Sequence, residues 1–278
     1  MNKPFLKWAG GKHYAIDNIN AFKPNNSKRL VEPFVGSASV SIGININKFL
    51  LCDVNQDLVS LYKHLVSDPK KFIQDCRSLF VEGNNKDDVY YSLRKEFNTS
   101  EDSYRKSCLF VFINRHCFNG LMRYNASGLF NTPFGKYHHP YFPEKEMLFF
   151  ADKFKNTEFK QCDFRKTFEQ VVEGDFVYCD PPYVSIGKTS ASFTAYAKEG
   201  FSADDQIQLA NCCRQAADRG AVVVVSNHDT PESRGLYINA DDIISLDVKR
   251  TIGGKGSVRG DVREVLVVYG KQPTGLFE

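Results

Sequence analysis

The sequence lacks several features that would mark a membrane, secreted or zinc-binding protein. No run of 18 consecutive apolar residues occurs in its 278 residues, and the first residues contain no long apolar stretch, so we expect neither a membrane span nor secretion. The eight cysteines include no C-x-x-C pair, and most lie in apolar runs. This pattern predicts reduced, buried thiols, no metal site and a cytoplasmic location.

A strong excess of charge is also absent. Lys and Arg number 36 against 33 Asp and Glu, which gives a formal net charge of +3. This balance permits nucleic-acid binding but requires that the cations cluster locally. With 42% apolar and 13% aromatic residues, the chain can bury a large core, as one domain or as one domain with an insert.

The stretch most informative about function is Asp180-Pro181-Pro182-Tyr183, which follows the short apolar run 175–179. The run is typical of a buried strand, and a proline directly after Asp180 makes the strand stop there. The resulting rigid corner presents a carboxylate, carbonyls and an aromatic ring. These groups suit a planar amine, such as that of adenine or cytosine, whose two N–H bonds a carboxylate and a proline carbonyl would accept. An ordinary turn is the alternative, since such proline pairs are common in loops.

A strand, turn, helix and strand pattern covers residues 29–53. Segments 29–35 and 49–53 predict strands, Gly36 lies in the turn, and Asp53 ends the second strand. A carboxylate at this place suits the ribose hydroxyls of a nucleoside. The three-glycine phosphate fingerprint is missing, which argues against a dinucleotide, and any α/β turn is an equally good alternative.

Residues 56–145 carry helical periodicity without a convincing parallel strand, and the pair Asp68-Pro69 predicts the start of one of the helices. About ninety such residues are too many for one connection, so we predict a mainly helical domain inserted between 1–55 and 146–278. Its last third mixes cations, amides and aromatic rings with turn signals and has few acids before Glu144, which favours DNA contact over a plain loop. The pair His138-His139 has no further ligand at metal spacing, so a loop is the better interpretation.

The predicted sheet resumes after this insert. The strand 157–162 ends at Asp163 and Phe164, and further strands are predicted at 222–225, 243–248 and 264–269. Two loops accompany them. The loop 184–201 predicts a lid or a surface excursion, and the basic stretch 249–260 predicts a phosphate-binding hairpin or a solvated loop.

Three blocks in this order, Phe5–Lys12, Val31–Gly36 and Asp180–Tyr183, resemble the Dam family of DNA adenine methyltransferases. The resemblance runs over nearly the whole chain and includes residues 123–125, 140–143, 193–196 and 226–229. It implies an α/β fold, in which a Rossmann-like S-adenosylmethionine-dependent methyltransferase sheet carries the inserted DNA-recognition domain. The catalytic domain would then be 1–55 with 146–278, and the recognition domain 56–145.

The same resemblance implies a reaction and its partners. S-adenosylmethionine would donate a methyl group to N6 of an adenine in GATC, leaving S-adenosylhomocysteine. The target base would be flipped out of double-stranded DNA and would attack the methyl group directly. The resemblance further implies a monomer, and no metal is expected.

The resemblance also assigns roles to individual residues. The target adenine would be held by Asp180, Pro181, Pro182 and Tyr183. Asp53 would bind the donor's ribose, and Asp163 and Phe164 would surround its adenine. The whole donor set is Trp8, Lys12, Phe34, Gly36, Asp53, Asp163, Phe164 and Asp180. The DNA-binding set is Lys7, Phe118, Asn119, Leu121, Arg123, Asn125 and Lys136, of which Lys7 and Arg123 would contact bases.

Three residues depart from the family pattern. Phe118 replaces a tyrosine that wedges into the duplex, so a ring can still stack but a hydroxyl contact is lost. Lys136 replaces an arginine, which exchanges a bidentate fork for a point charge. Ala38 replaces the second glycine of the donor loop, and this loop is expected to work if the φ of Ala38 is negative.

Other activities would use a similar corner. Cytosine N4, an adenine in RNA and a glutamine amide are also planar amines, although the residues that resemble GATC readers argue against them. A DNA-binding module that keeps the fold without catalysis is the alternative from another class. The intact residues 180–183 argue against it.

Overall fold

The computed structural model describes residues 2–183, 201–248 and 262–270. Its strands are β1 (Arg29–Glu32), β2 (Phe49–Asp53), β3 (Glu158–Gln161), β4 (Asp175–Cys179), β5 (Val222–His228), β6 (Asp242–Val248) and β7 (Val262–Tyr269). Its helices are α1 (Ile16–Ala21), α2 (Ser39–Gly43), α3 (Gln56–Ser67), α4 (Pro69–Leu79), α5 (Asp87–Thr99), α6 (Ser103–His116), α7 (Glu144–Lys153), α8 (Phe164–Phe168), α9 (Ala203–Asp218) and α10 (Pro231–Leu236). The seven strands make one mixed sheet, which confirms the predicted α/β, Rossmann-like class.

The chain divides into two compact units. The first comprises residues 1–16 and 35–162, and so holds the whole segment 56–145. In it β2 pairs in parallel with β3, and α3, α4 and α5 pack against α6. From Ser107 to His116 every residue of α6 is buried, which is typical of a helix at the centre of a core.

Local capping rules explain where these helices begin. The side chain of Asp68 accepts a hydrogen bond from the backbone N–H of Lys71, and Pro69 occupies the first position of α4. Asp102 caps α6 in the same way, accepting from the N–H groups of Tyr104 and Arg105. The start of α4 was predicted from its Asp-Pro pair and is confirmed.

The second unit comprises residues 17–34 and 163–278. Within it the strand order is β1-β4-β5-β7-β6, with β1, β4 and β5 parallel and β7 antiparallel to both of its neighbours. Because Cys179 of β4 lies opposite Val225 of β5, the carboxyl ends of these two strands meet at one edge of the sheet. That edge is where the Asp180 corner begins.

The structure corrects some predicted boundaries. The strand predicted to end at Val35 ends at Glu32, because Pro33 has no N–H to donate to a ladder. The short helices α7, α8 and α10 were not predicted. The predicted lid 184–201 lies outside the described residues except for Phe201, and so do the basic stretch 249–260 and the block 193–196.

The cysteines are all free thiols, and six of the eight are buried. Across the described ranges, no group of three or more His, Cys, Asp or Glu side chains is arranged to hold a metal ion. None of the helices in the described part of the chain is both long and apolar enough to cross a membrane.

Candidate active site and nucleic-acid interface

The Asp180 corner lies where the sequence placed it. The strand β4 is buried along its whole length and ends at Cys179, so Asp180 is the first residue beyond the sheet. Asp180 and Tyr183 are half-buried, Pro181 is buried and Pro182 is exposed. The corner thus presents a carboxylate and a ring at the sheet edge, on a backbone that two prolines restrict.

The ring of Tyr183 is held by two residues of neighbouring strands. Its hydroxyl donates a hydrogen bond to Oε2 of Glu264 at 3.0 Å. Its ring meets the ring of His228 edge to face, with the centroids 4.6 Å apart. Glu264 and His228 are paired across β7 and β5, and Glu264 is only 6% exposed. Sequence reasoning missed Glu264, because the pairing that brings it to Tyr183 is set by sheet register.

Three aromatic rings form a cluster near the start of α8. Phe34 stacks on Phe164 with the centroids 5.6 Å apart, and the ring of Phe201 lies 5.7 Å from the first and 5.6 Å from the second. Phe164 is 3% exposed. The structure therefore brings together two residues predicted for the donor, Phe34 and Phe164, and adds Phe201.

Asp163 precedes this cluster and caps α8. Its side chain accepts a hydrogen bond from the backbone N–H of Arg165 at 2.9 Å, and it forms an ion pair with the Arg165 guanidinium at 3.0 Å. The same guanidinium pairs with Asp205 and lies over the ring of Phe164. Asp163 is exposed, so its remaining lone pairs face solvent.

In the first unit, Asp53 binds the backbone of the glycine turn. Its Oδ2 accepts from the N–H of Gly36 at 3.1 Å, and its Oδ1 accepts from the N–H of Asn55 at 2.9 Å. Burial raises the pKa of the Asp53 carboxyl, and these backbone hydrogen bonds oppose the rise. The backbone N–H of Val54 is a third donor to this carboxylate, which therefore keeps capacity for one further hydrogen bond.

Gly36 is required by its neighbours. Its φ is +46°, and a Cβ at this position would lie 2.8 Å from Nε1 of Trp8. Lys12 is 3% exposed, and its Nζ donates to the carbonyl of Gly10 at 2.6 Å. The structure thus brings Trp8, Gly36 and Asp53 into one turn region, with Lys12 buried at its start.

Ala38 does not meet the condition that was set for the donor loop, which was a negative φ. Its φ is +57° and its ψ +28°, in the left-handed region, at the residue that precedes α2. This conformation costs an alanine about 1 kcal/mol. The turn is nevertheless closed, because the Ala38 N–H donates to the carbonyl of Val35 and its own carbonyl accepts from Ile42.

The predicted DNA-contacting segment is a hairpin. Antiparallel bridges join Cys117 to Phe134 and Tyr124 to Phe130. Helix α5 supports it, since Asn98 exchanges two hydrogen bonds with the backbone of Phe130, at 2.8 and 3.0 Å. The residues from 117 to 134 are hereafter called the hairpin.

The predicted contact residues of the hairpin point to solvent. Phe118 is 51% exposed and Leu121 40% exposed, and the polar members Asn119, Arg123 and Asn125 are also exposed. The Nε of Arg123 donates to Oδ1 of Asn131 at 2.8 Å, which fixes the plane of its guanidinium. The Arg123 Nη atoms make no hydrogen bond within the described ranges. These side chains therefore form a surface with two apolar groups and a fixed arginine.

Two of the predicted contact residues, Asn125 and Lys136, have structural partners. The Oδ1 of Asn125 accepts the N–H groups of Ser127 and Leu129, so this oxygen builds the hairpin turn and leaves the amide nitrogen to face outwards. Lys136 is exposed, and its Nζ lies 3.8 Å from a carboxylate oxygen of Asp87.

Lys7 lies against the base of the hairpin. Its backbone N–H and carbonyl both pair with the side chain of Asn114, at 2.8 and 2.7 Å, and its Nζ lies 4.1 Å from the ring centroid of Tyr137. Burial, followed by the charge of Arg115, lowers the pKa of the Lys7 amine. Tyr137 also accepts the N–H of Asn119 on its hydroxyl, so it joins Lys7 to the hairpin.

Comparison with known proteins gives the family. Residues 8–252 match the D12 class N6 adenine-specific DNA methyltransferases. The DNA adenine methylase of Serratia marcescens is 43% identical, over 96% of this chain and 98% of that protein. Those of Vibrio cholerae (strain El Tor Inaba N16961) and Escherichia coli (strain K12) are 42% and 41% identical, each over 96% of this chain and over 96% and 95% of those proteins.

Among solved structures, that of SMU.472, a putative methyltransferase complexed with SAH, is 10% identical with a TM-score of 0.40 and covers 98% of this chain and 55% of that chain. The sequence matches are much stronger, since they reach 41–43% identity over almost the full length of both chains. The chain therefore belongs to the D12 class of N6 adenine-specific DNA methyltransferases.

Proposed function

We propose that this DNA adenine methyltransferase transfers a methyl group from S-adenosylmethionine to N6 of the adenine in GATC, after that base has been flipped out of the duplex. One observation carries the proposal. A half-buried carboxylate, a proline carbonyl and a tyrosine ring fixed at its hydroxyl stand together at the end of β4. These are the groups that a planar exocyclic amine requires.

The chemistry follows from the electronic structure of the amine. The lone pair of N6 is delocalised into the ring, so the nitrogen is a poor nucleophile. Asp180 and the carbonyl of Pro181 accept its two N–H bonds and favour a pyramidal nitrogen, while Tyr183 stacks on the base. The nitrogen then attacks the sulfonium methyl group directly. The new N–C bond forms as the C–S bond breaks, S-adenosylhomocysteine leaves, and the acidic proton of the product departs to Asp180 or water.

The chain's own residues fit the donor. Asp53 keeps one acceptor position beyond those used by Gly36, Asn55 and Val54, and a ribose hydroxyl can donate to it. The donor's adenine packs against the rings of Phe34 and Phe164, with the exposed Asp163 to accept from its amine. S-adenosylmethionine supplies the activated methyl group when bound. Trp8 and Lys12 complete the donor site.

The hairpin supplies what base flipping needs. N6 of a stacked adenine is out of reach in a duplex, so the enzyme must unstack it. The exposed rings and methyls of Phe118 and Leu121 are suited to wedge between base steps. Arg123 and Lys7 can donate hydrogen bonds to base edges. The guanidinium of Arg123, whose plane is held by Asn131, can bind guanine in a bidentate manner.

A substitution at Gly120 tests whether the position of Lys7 matters for sequence preference. The φ of Gly120 is +67°, and a Cβ there would lie 2.3 Å from Cβ of Lys7. We expect Gly120→Ala to displace Lys7 and to lower the preference for GATC by about fivefold to tenfold. The measurement is the ratio of kcat/KM for a GATC duplex to that for duplexes with one substituted base pair.

Gly128→Ala is the matched control. Gly128 has a φ of +71°, so alanine is equally strained, but its Cβ would meet nothing within 4 Å. Both variants should have a lower melting temperature than wild type, Gly120→Ala the lower of the two because of its clash with Lys7, and only Gly120→Ala should lose discrimination. Equal discrimination in the two variants would show that Lys7 does not take part in reading the bases.

The proposed function is tested with labelled S-adenosylmethionine and three duplexes, one with GATC, one with the four bases permuted and one without adenine at the target position. We expect label in the GATC duplex and little in the others. Label in none of them would contradict the choice of donor and substrate. Equal label in the first two would contradict GATC.

A further inference from the structure

Gln206 is a buried amide that faces the corner from the first turn of α9. It is 4% exposed, and its Nε2 donates a hydrogen bond to the carbonyl oxygen of Pro182 at 2.7 Å. The turn that carries it is rigid, because Ser202 and Asp205 form a reciprocal capping box. A short hydrogen bond from a fixed helix therefore reaches the backbone of the corner.

The other end of the same amide is held by two fully buried residues. Asn227 Nδ2 and Tyr237 Oη each lie 3.4 Å from Oε1 of Gln206, and they lie 3.3 Å from each other. Burial raises the pKa of Tyr237, so its hydroxyl keeps its proton at neutral pH. These contacts are longer than the one to Pro182. Both groups nevertheless act as donors towards Gln206, and of the two polar atoms of its amide only the oxygen can accept from them. They therefore direct the amide nitrogen towards Pro182.

The backbone of the corner has one soft torsion before its tyrosine. The rings of Pro181 and Pro182 fix both φ angles, and the ψ of Pro181 is restricted because a proline follows it. The ψ of Pro182 is the one torsion of the two prolines that can still rotate, and it sets the direction of the Pro182 carbonyl. Since Gln206 holds that carbonyl, it fixes the peptide plane from which Tyr183 projects.

We propose that Gln206 is a positioning residue for methyl transfer, which fixes the Pro182–Tyr183 peptide and thereby the ring of Tyr183 against the flipped adenine. Gln206 acts through Pro182 and does not touch the base. The proposal rests on the function proposed for residues 180–183. It adds a cause for the rigidity of the corner that the two prolines do not supply.

Two variants of Gln206 test this role. Gln206→Met keeps the length of the side chain and removes the donor. Gln206→Glu donates to the Pro182 carbonyl only while its carboxyl is protonated, and once ionised it turns an oxygen towards that carbonyl. Gln215→Glu, on an exposed part of the same helix, is the matched control.

The readout is the single-turnover rate of labelled methyl transfer into a GATC duplex, measured across a pH series with the melting temperature and duplex affinity at each pH. We expect Gln206→Met to be about tenfold slower at every pH. Gln206→Glu should approach the wild-type rate at the acid end and lose about tenfold against wild type as pH rises. Gln215→Glu should follow the wild type throughout, and duplex affinity should not change.

Two results would overturn the proposal. One is a wild-type rate in Gln206→Met, and the other is a rate loss that only follows loss of folded protein or of duplex binding. Asp180→Ala separates this inference from the proposed function. If Asp180→Ala keeps the wild-type rate, the corner does not hold the reacting base, and both the proposed function of the corner and the positioning role of Gln206 fail. If Asp180→Ala is inactive and Gln206→Met is unimpaired, the positioning role alone fails.

Discussion

Asp180→Ala should lose methyl transfer by about 10³-fold and still fold and bind GATC DNA. The expected loss is large because, in the proposed function, the carboxylate accepts an N–H bond of the reacting amine and aims the amine's lone pair at the methyl group. Folding should survive because Asp180 is the first residue after β4, outside the buried strand. Binding should survive because we assign contact with the duplex to the hairpin, which does not include Asp180.

The measurement is the single-turnover rate, with melting temperature and duplex affinity determined on the same preparation. Asp180→Asn keeps one acceptor oxygen and should give a rate between those of alanine and wild type. Asp218→Ala, which removes an exposed carboxylate at the end of α9, should change nothing. If Asp180→Ala lost folding and binding together with activity, Asp180 would be a structural residue.

Arg123→Ala should relax sequence preference by about 1 to 3 kcal/mol, or roughly 5- to 150-fold. Arg123 is exposed on the hairpin, and the hydrogen bond from its Nε to Asn131 holds the guanidinium plane in place. A fixed fork discriminates among base edges, since a wrong base leaves its donors unpaired. The loss should therefore appear as a smaller ratio of kcat/KM between GATC and duplexes with one changed base pair.

Two further variants separate base reading from charge. Arg123→Lys keeps the charge but not the fork, so it should lose most of the discrimination and little of the overall affinity. Lys155→Ala removes an exposed lysine outside the hairpin and should leave discrimination intact. If Arg123→Ala weakened all duplexes by the same factor, its contact would be with phosphate and not with bases.

The parts of the site that the sequence predicted are those governed by local rules. A proline after an acid ends a strand, so the position of Asp180 followed from residues 175–183 alone. The turn from Gly36 to Asp53 was predicted from one glycine and one strand-ending acid, and Asp68-Pro69 marked the start of α4.

The parts that the sequence did not predict depend on contacts between distant segments. Glu264 reaches Tyr183 only because β7 pairs antiparallel with β5 in a register that sets it beside His228. Gln206 lies 24 residues after Pro182 and meets it only once α9 packs on the sheet. Neither residue carries a motif, so neither register nor packing could be inferred from its neighbours in the chain.

The conformation of Ala38 shows a different limit. A negative φ was set as the condition for a working loop, since alanine seldom adopts the left-handed region. The turn between Val35 and α2 imposes φ = +57° all the same. The backbone of this turn is therefore set by the closure between Gly36, Asp53 and the helix start, and the local preference of one residue does not override it.

The most direct test of the central claim is the identity of the methylated nucleoside. A GATC duplex offers both adenine and cytosine amines to the Asp180 corner, and incubation with S-adenosylmethionine followed by hydrolysis to nucleosides separates the products. We predict N6-methyladenine from the wild-type enzyme and about 10³-fold less of it from Asp180→Ala in the same time. Methylated cytosine, or N6-methyladenine in equal amount from Asp180→Ala, would contradict the account.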